Sequence, residues 1–394
     1  MATNTLLTPL QITRKALMIL HQKANFIGSI DRQHDDAFGK EGAKIGETLR
    51  IRLPNKYTTR NTATLAVQDT VEEMVNLVVS SRLGVDVSFT SQELTLSLDD
   101  FSSRILDPAI SVLAASLEGA AMGMANSVYN VVPNVGAALT LAKVLQGRKI
   151  LTDNLAPQSQ RTANLNTQDT VDLVNDAKAL FNAQSEISSQ YKEGSMGRAA
   201  GFDFMENTLW PRFTAGARNA SYTATSVSAT GLVLTVAGGA NAMVAGDTFT
   251  IAGVYRVHPE TKAVTNVLQQ FVVTAPYVGG AGAVSIAPAL LTSTAGGRQT
   301  VSAAPAGGLM TFTQTASTST GQSLCYHKSA FTMATADLVM PGGVDFKARE
   351  TLDGISMRVV RAYDINTDAF PCRIDILYGF VAQRPELAVR LLNN

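Results

Sequence analysis

ISMRVVRAYDINTDAFPCRIDILYGFVAQRPEL, residues Ile355–Leu387, carries two runs of strand character around a polar turn. Ile355–Val360 alternates apolar and polar side chains, the period of a strand with one buried face. Asp364–Asp368 reads as a turn, and Cys372–Gly379 as the returning strand. Pro385-Glu386-Leu387 then opens a short tail. Asp364, Asn366, Asp368 and Asp375 imitate the spacing of a calcium loop. Ala369 stands where such a loop needs glycine, and Asp375 falls inside the second strand, so a hairpin turn is expected instead.

Upstream of this α+β segment the composition changes. Asn219–Leu324 holds five charged residues in 106: Asp247, Arg256, Glu260, Lys262 and Arg298. Strand-like runs recur at Ser221–Ser226, Leu232–Ala237, Thr248–Ile251, Gln269–Thr274, Val284–Ala287 and Met310–Thr313. Gly238-Gly239, Ala245-Gly246-Asp247, Gly279-Gly280, Gly296-Gly297 and Gly307-Gly308 punctuate them. Short strands at this spacing predict a small all-β barrel or sandwich, inserted in an α+β body.

The N-terminal half begins with a cap and a first-turn proline, Thr8-Pro9. A helix to about Lys23 follows, with Leu10, Ala16, Leu17 and Leu20 near one face. It either docks on its own domain or serves as an arm on a neighbouring subunit. Residues 31–60 are strongly polar, yet Glu47–Leu53 alternates as a strand and Pro54 ends it. Tyr57–Asn61 reads as a loop, and strand character returns at Met74–Ser81 and Gly84–Thr90. A long ribbon with two polar faces has little core of its own and needs a partner surface. Its basic cluster, Arg50, Arg52, Lys56 and Arg60, suits salt bridges to an acidic patch on a partner. With Tyr57 as its one aromatic, it is unlike a nucleic-acid stacking platform.

Helices follow. Asp99 and Asp100 can cap a short one ending near Leu106. Asp107-Pro108 opens a longer one to about Ser127, with Ile110, Leu113, Leu117, Ala121 and Met124 along one stripe. At 1.5 Å per residue this rod is about 30 Å long. Thr140–Thr152 and Thr167–Ala183 are amphipathic, with Thr167 as N-cap, and Phe202–Asn207 reads as a strand.

The 394 residues suggest two or three domains, and 45% hydrophobic content excludes a disordered chain. Lys+Arg and Asp+Glu are 32 each, so no global charge draws the chain to nucleic acid. Cys325 and Cys372 make neither a disulfide framework nor a zinc site, and read as buried thiols of a protein made in a reducing cytosol. Arg14, Lys15, His21 and Lys23 interrupt the first apolar stretch, against a secretion signal. Gly119–Ala142 and Ala263–Gly297 are uncharged, but asparagines or prolines interrupt both, so a soluble chain is expected. There is no P-loop, HExxH, GxSxG, Rossmann glycine pattern or paired-cysteine motif. His21, His34, His258 and His327 stand apart and read as structural or surface residues. Asp35-Asp36, Glu72-Glu73 and Asp99-Asp100 read as caps and solvated faces. No catalytic, cofactor or metal residue is assigned, and no enzyme is expected.

Four pieces, in their order, carry a resemblance. They are Asp107-Pro108 opening the long helix; GDTFTIAGVYRVHPETKAVTNVLQQFVV at Gly246–Val273; LCYHKSAFTMATADL at Leu324–Leu338; and Ile355–Leu387, with its Tyr-Asp turn and its Arg-Ile-Asp strand running into Tyr-Gly and Arg-Pro-Glu. The chain resembles the major capsid (coat) proteins of tailed bacteriophages with the Hong Kong 97-type fold. Within them it is similar to the short-tailed podovirus subgroup whose coat protein carries an inserted β-barrel domain.

The resemblance implies an α+β fold: an N-terminal arm (1–30), an extended loop region (31–80) and a peripheral domain (81–149) with a spine helix (108–127). It also implies an axial domain (150–218 and 325–394) split by the inserted barrel (219–324). It implies pentamers and hexamers in an icosahedral head around double-stranded DNA, without sequence-specific binding and without a membrane. A scaffolding protein and a portal at one vertex would be partners, with assembly from procapsids in the bacterial cytoplasm. By region, Arg50, Arg52, Lys56 and Arg60 would face a neighbouring subunit. A relative's long charged loop before Thr248–Ile251 is replaced here by the short, uncharged Ala237–Ala245, so contact between capsomers through it is not expected. Crosslinking and self-cleavage are not implied.

Three other readings stay open on the residues. One is an encapsulin-like nanocompartment shell of the same fold. A second is a tail-associated carbohydrate-binding β protein, which would need exposed aromatics among Tyr222, Tyr255, Tyr277, Phe249, Phe271 and Phe312. The third is a hydrolase, for which no constellation is present.

Overall fold

The structure is a computed structural model that describes residues 9–34, 48–65, 67–68, 70–90, 107–177, 197–293, 297–344, 346–352, 354–366 and 369–393. The expected short helix near Asp99–Leu106, the Thr8 cap and the end of Thr167–Ala183 lie outside the described residues. Two compact units emerge. The first takes Met1–Ile51, Val75–Met122 and Phe331–Val381; the second takes Arg52–Met74, Gly123–Ala330 and Ala382–Asn394.

The first unit is built on the strand Ala369–Val381, longer at both ends than the expected Cys372–Gly379. Ser81–Thr90 pairs along it antiparallel, from Ser81↔Tyr378 to Thr90↔Ala369. Ile355–Arg361 and then Phe346–Leu352 add to one side, and Thr332–Ala336 pairs near its end, followed in parallel by Asp31–His34. The Asp364 carboxylate accepts the Asn366 backbone N–H at 2.9 Å, and Asp364 bridges to Ala369, so the calcium-like spacing folds as a hairpin turn. Met357, Val359, Ile374 and Ile376 are buried on one face, and Ser356, Asp375 and Leu377 are buried on the other. The helix Pro9–Lys23 lies against Phe346–Leu352 and against the helix Asp107–Met122, burying Ala16, Leu17 and Leu20. The helix is packed within its own unit.

Asp107–Met122 buries Ile110, Leu113, Leu117 and Ala121, then tightens into a 3-10 turn at Gly123–Ser127. By length and composition alone Asp107–Ser127 could cross a membrane. Glu118, buried on the helix, accepts the Phe26 backbone N–H at 2.8 Å, satisfying a donor at the start of Asn25–Ser29.

On the polar face of the sheet, Asp375 is buried beneath three arginines. Arg82 and Arg358 approach its carboxylate at 2.6 Å and Arg373 at 3.5 Å. Gly84 sits opposite Asp375 in the ladder, and a Cβ there would lie 2.6 Å from the Asp375 Oδ1. The glycine leaves room for the carboxylate.

In the second unit a sheet runs Val131–Pro133, Ala388–Asn393, Ser319–His327, Arg161–Leu165, Phe202–Glu206 and Arg198–Ala199. The expected short tail after Pro385 is here an interior strand. Ala388–Asn393 is wholly buried between a parallel and an antiparallel neighbour. A six-stranded barrel closes in the order Thr223–Val227, Val233–Ala237, Gly282–Ala287, Val264–Val273, Thr248–Val257 and Gly308–Phe312. Thr248–Val257 runs well beyond the expected Thr248–Ile251, and its register with Val264–Val273 shifts beyond Thr250 and again beyond Tyr255. Such irregularities break the alternation that sequence reading relies on.

Buried charges sit where chain enters and leaves the barrel. Asp247 pairs with Arg218 at 2.9 Å, and both are buried. Arg218 also donates to the Gly216 and Gln314 carbonyls, on the entering and leaving segments. Arg390, from the interior strand, donates to the Gly246 carbonyl at 2.8 Å and to the Gln322 Oε1, over the Phe213 ring. Burial lowers the Arg218 pKa and raises that of Asp247, more than their mutual attraction opposes.

Candidate subunit interface

Thr48–Arg52 and Met74–Val78 pair as the root of the ribbon. At that root Ile51 and Leu77 join Val79, Ala334, Ala336 and Leu338 in a small core of the first unit. Beyond it, no described residue between 53 and 73 is buried, and side chains brace the two arms instead. Leu53 N–H donates to the Glu73 carbonyl at 2.9 Å. The Gln68 amide forms a two-way bridge with the Thr58 backbone, accepting its N–H at 2.8 Å and donating to its carbonyl at 2.5 Å. Tyr57 and Thr70 hydroxyls meet at 3.4 Å.

The four basic candidates are spread along this ribbon. Arg50 and Arg52 point out from one strand face. Arg52 pairs with Glu72 at 3.4 Å and Lys56 with Glu73 at 3.3 Å. Arg60 donates to the Thr62 carbonyl at 2.7 Å and to the Thr64 carbonyl, bracing the tip. Arg52, Lys56 and Arg60 therefore hold the ribbon to itself. Glu72-Glu73, read from sequence as a solvated pair, supplies two of the partners. A residue the sequence reading passed over completes the cluster: Arg298, after Gly296-Gly297, donates to Glu73 at 2.9 Å.

These pairs are half-exposed, so each is worth about 0–1 kcal/mol. The ribbon keeps apolar side chains in the open as well: Tyr57, Leu65, Val67, Val71 and Met74, with Val67 83% exposed. Exposed apolar side chains on a weakly braced ribbon lower their free energy by being covered.

Burial raises the Glu73 pKa, but Lys56 and Arg298 outweigh it and hold the carboxyl below its ordinary 4.5. A depressed carboxylate contributes stability present above its unfolded pKa and lost as pH falls through the folded value. A carbon-13 carboxyl titration of the free subunit is expected to place Glu73 below 4.5, with its ion pairs opening as the pH falls through that midpoint. A midpoint at or above 4.5 would contradict the geometry.

Elsewhere, the described residues show little that reacts. The His258 Nδ1 accepts the Glu260 and Thr261 N–H groups, and the His327 Nδ1 accepts that of Ser329, each closing a turn. Cys325 and Cys372 are buried, which pushes their thiols up to about 12 and about 11. No group of three His, Cys, Asp or Glu side chains among the described residues could hold a metal ion. In the barrel, Tyr222, Phe249 and Phe271 are core residues with Phe312 and Tyr277 packed against them, leaving Tyr255 as the exposed aromatic of the six.

Comparison with known proteins gives the family. The family model described as P22 coat protein, gene protein 5, matches residues 39–392. No curated protein sequence matches. A solved structure of Mycobacterium phage Che8 is similar over 93% of this chain and 90% of that one, at 11% identity and TM-score 0.48. A capsid structure of the cyanophage P-SCSP1u covers 93% and 86%, at 11% identity and TM-score 0.44. The CUS-3 coat protein I-domain is 27% identical over 24% of this chain and 96% of that one, with TM-score 0.19.

Proposed function

The chain belongs to the P22 coat protein family, and from that premise we propose that it assembles as pentamers and hexamers into an icosahedral phage head around packaged double-stranded DNA. It is a tailed-phage major capsid protein, a structural subunit of the Hong Kong 97-type fold with an inserted barrel. The family match over residues 39–392 carries the proposal.

The ribbon supports the assembly step. Two short strands and the irregular segments beyond them, with exposed apolar side chains and half-exposed ion pairs, are marginal alone. In the shell these apolar side chains lie on a neighbouring subunit, with Arg50, Arg52, Lys56 and Arg60 at their polar margin. A scaffolding protein sets curvature during assembly, and a portal occupies one vertex. The net charge of zero fits a shell that encloses DNA without gripping it.

Sedimentation of the protein expressed alone, and with the scaffolding protein of its phage, tests this. Fast-sedimenting closed shells, uniform only with the scaffold, are expected. A discrete small oligomer in both preparations would overturn the proposal.

A further inference from the structure

The ribbon does more than brace itself: two separate contacts tie it to the barrel within the second unit. At the first, Glu73 takes Arg298 at 2.9 Å on one side and Lys56 at 3.3 Å on the other, so a single carboxylate joins both ribbon arms to the barrel. At the second, backbone meets backbone. Gly297 adopts a left-handed φ of +64°, and a Cβ there would lie 3.0 Å from the Tyr57 carbonyl oxygen. A side chain there would crowd Tyr57 and strain the left-handed backbone, so the close approach favours glycine. Gly297 and Arg298 are adjacent, and they meet opposite arms of the ribbon.

We propose that Gly297-Arg298 of the inserted barrel is a catch that sets the direction of the ribbon in the free subunit, with Arg298 as its positioning residue. The catch presents the exposed apolar side chains Tyr57, Leu65, Val67, Val71 and Met74 to a second copy of this chain. Ordering the ribbon beforehand removes part of the entropy that assembly would otherwise have to overcome. The barrel thereby acts in assembly through the ribbon of its own subunit. The assembly half of this inference rests on the shell reading; the catch itself does not.

The test uses the full chain with Arg298→Glu, which turns the attraction to Glu73 into repulsion, and Arg298→Lys, which keeps the charge. The first readout is trypsin cleavage after Lys56 and Arg60 in the unassembled subunit, which follows the population of opened ribbon. Losing a half-exposed pair is expected to speed this cleavage about two- to five-fold in Arg298→Glu and to leave it near wild type in Arg298→Lys. The denaturation midpoint of the barrel should be the same in all three proteins, because Arg298 is outside its buried core. The second readout is particle shape under conditions where wild type closes shells: Arg298→Glu should give open sheets or mixed sizes, with Arg298→Lys restoring closure.

Unchanged cleavage in Arg298→Glu would overturn the catch. Faster cleavage with normal shells would overturn its part in assembly. Faster cleavage where wild type itself forms no shells would uphold the catch and overturn the shell reading instead.

Discussion

Replacing Asp247 with alanine should destabilise the protein by about 3–5 kcal/mol, the usual cost of stranding a buried partner charge. Its carboxylate is fully buried and takes Arg218 at 2.9 Å, with Arg218 itself 2% exposed. It also accepts the Val244 N–H at 2.9 Å and the Gly216 N–H at 3.3 Å. Alanine removes all of these acceptors and leaves a buried guanidinium without its carboxylate. Because burial has already moved both pKa values against the charged forms, the pair is expensive to keep as well as to break. The double variant Asp247→Asn with Arg218→Met should therefore lose less than Asp247→Ala alone. Urea unfolding measures both. A loss under about 1 kcal/mol for Asp247→Ala, at the level of an exposed pair, would show that the cluster does not clamp the barrel base.

The second large effect is expected at Asp375. Alanine there leaves Arg82, Arg358 and Arg373 crowded on one sheet face without the carboxylate that separates them. Arg358 is only 12% exposed, whereas Arg82 and Arg373 can turn to water, so the expected loss is about 2–4 kcal/mol. Gly84→Ala attacks the same place from the opposite strand. Its Cβ would meet the Asp375 Oδ1 at 2.6 Å and the Ile374 carbonyl at 2.8 Å. That overpacking should cost about 1–3 kcal/mol. In the double variant the side-chain clash is gone, so Gly84→Ala should cost less in Asp375→Ala than in wild type. Simple additivity of the two losses would contradict the contact.

The same two places show why parts of the fold were legible and parts were not. Ile355–Val360 reads plainly as a strand because its alternation survives burial on one face. The sequence reading ends one strand at Ser81 and starts the next at Gly84, whereas Ser81–Thr90 is a single strand in which Gly84 makes room for Asp375. Ala388–Asn393 reads as a tail because Arg390 stands in its middle, and only the structure supplies the Gly246 carbonyl and Gln322 that let that charge go inside. Thr248–Val257 is half legible because register shifts interrupt its period. At the ribbon, the basic cluster is visible in sequence, but its partners are not. Arg298 lies 225 residues from Glu73, and nothing local marks the two as neighbours. The order of elements carries the likeness to a family, which composition and single motifs do not.

The most direct test of the whole account is cryo-electron microscopy of the particles formed with the scaffolding protein. A closed icosahedral shell of pentamers and hexamers, with the ribbon of one subunit lying across another and Val67 covered, is the result expected. A closed shell in which residues 53–73 touch no neighbouring subunit, or no shell at all, would contradict it.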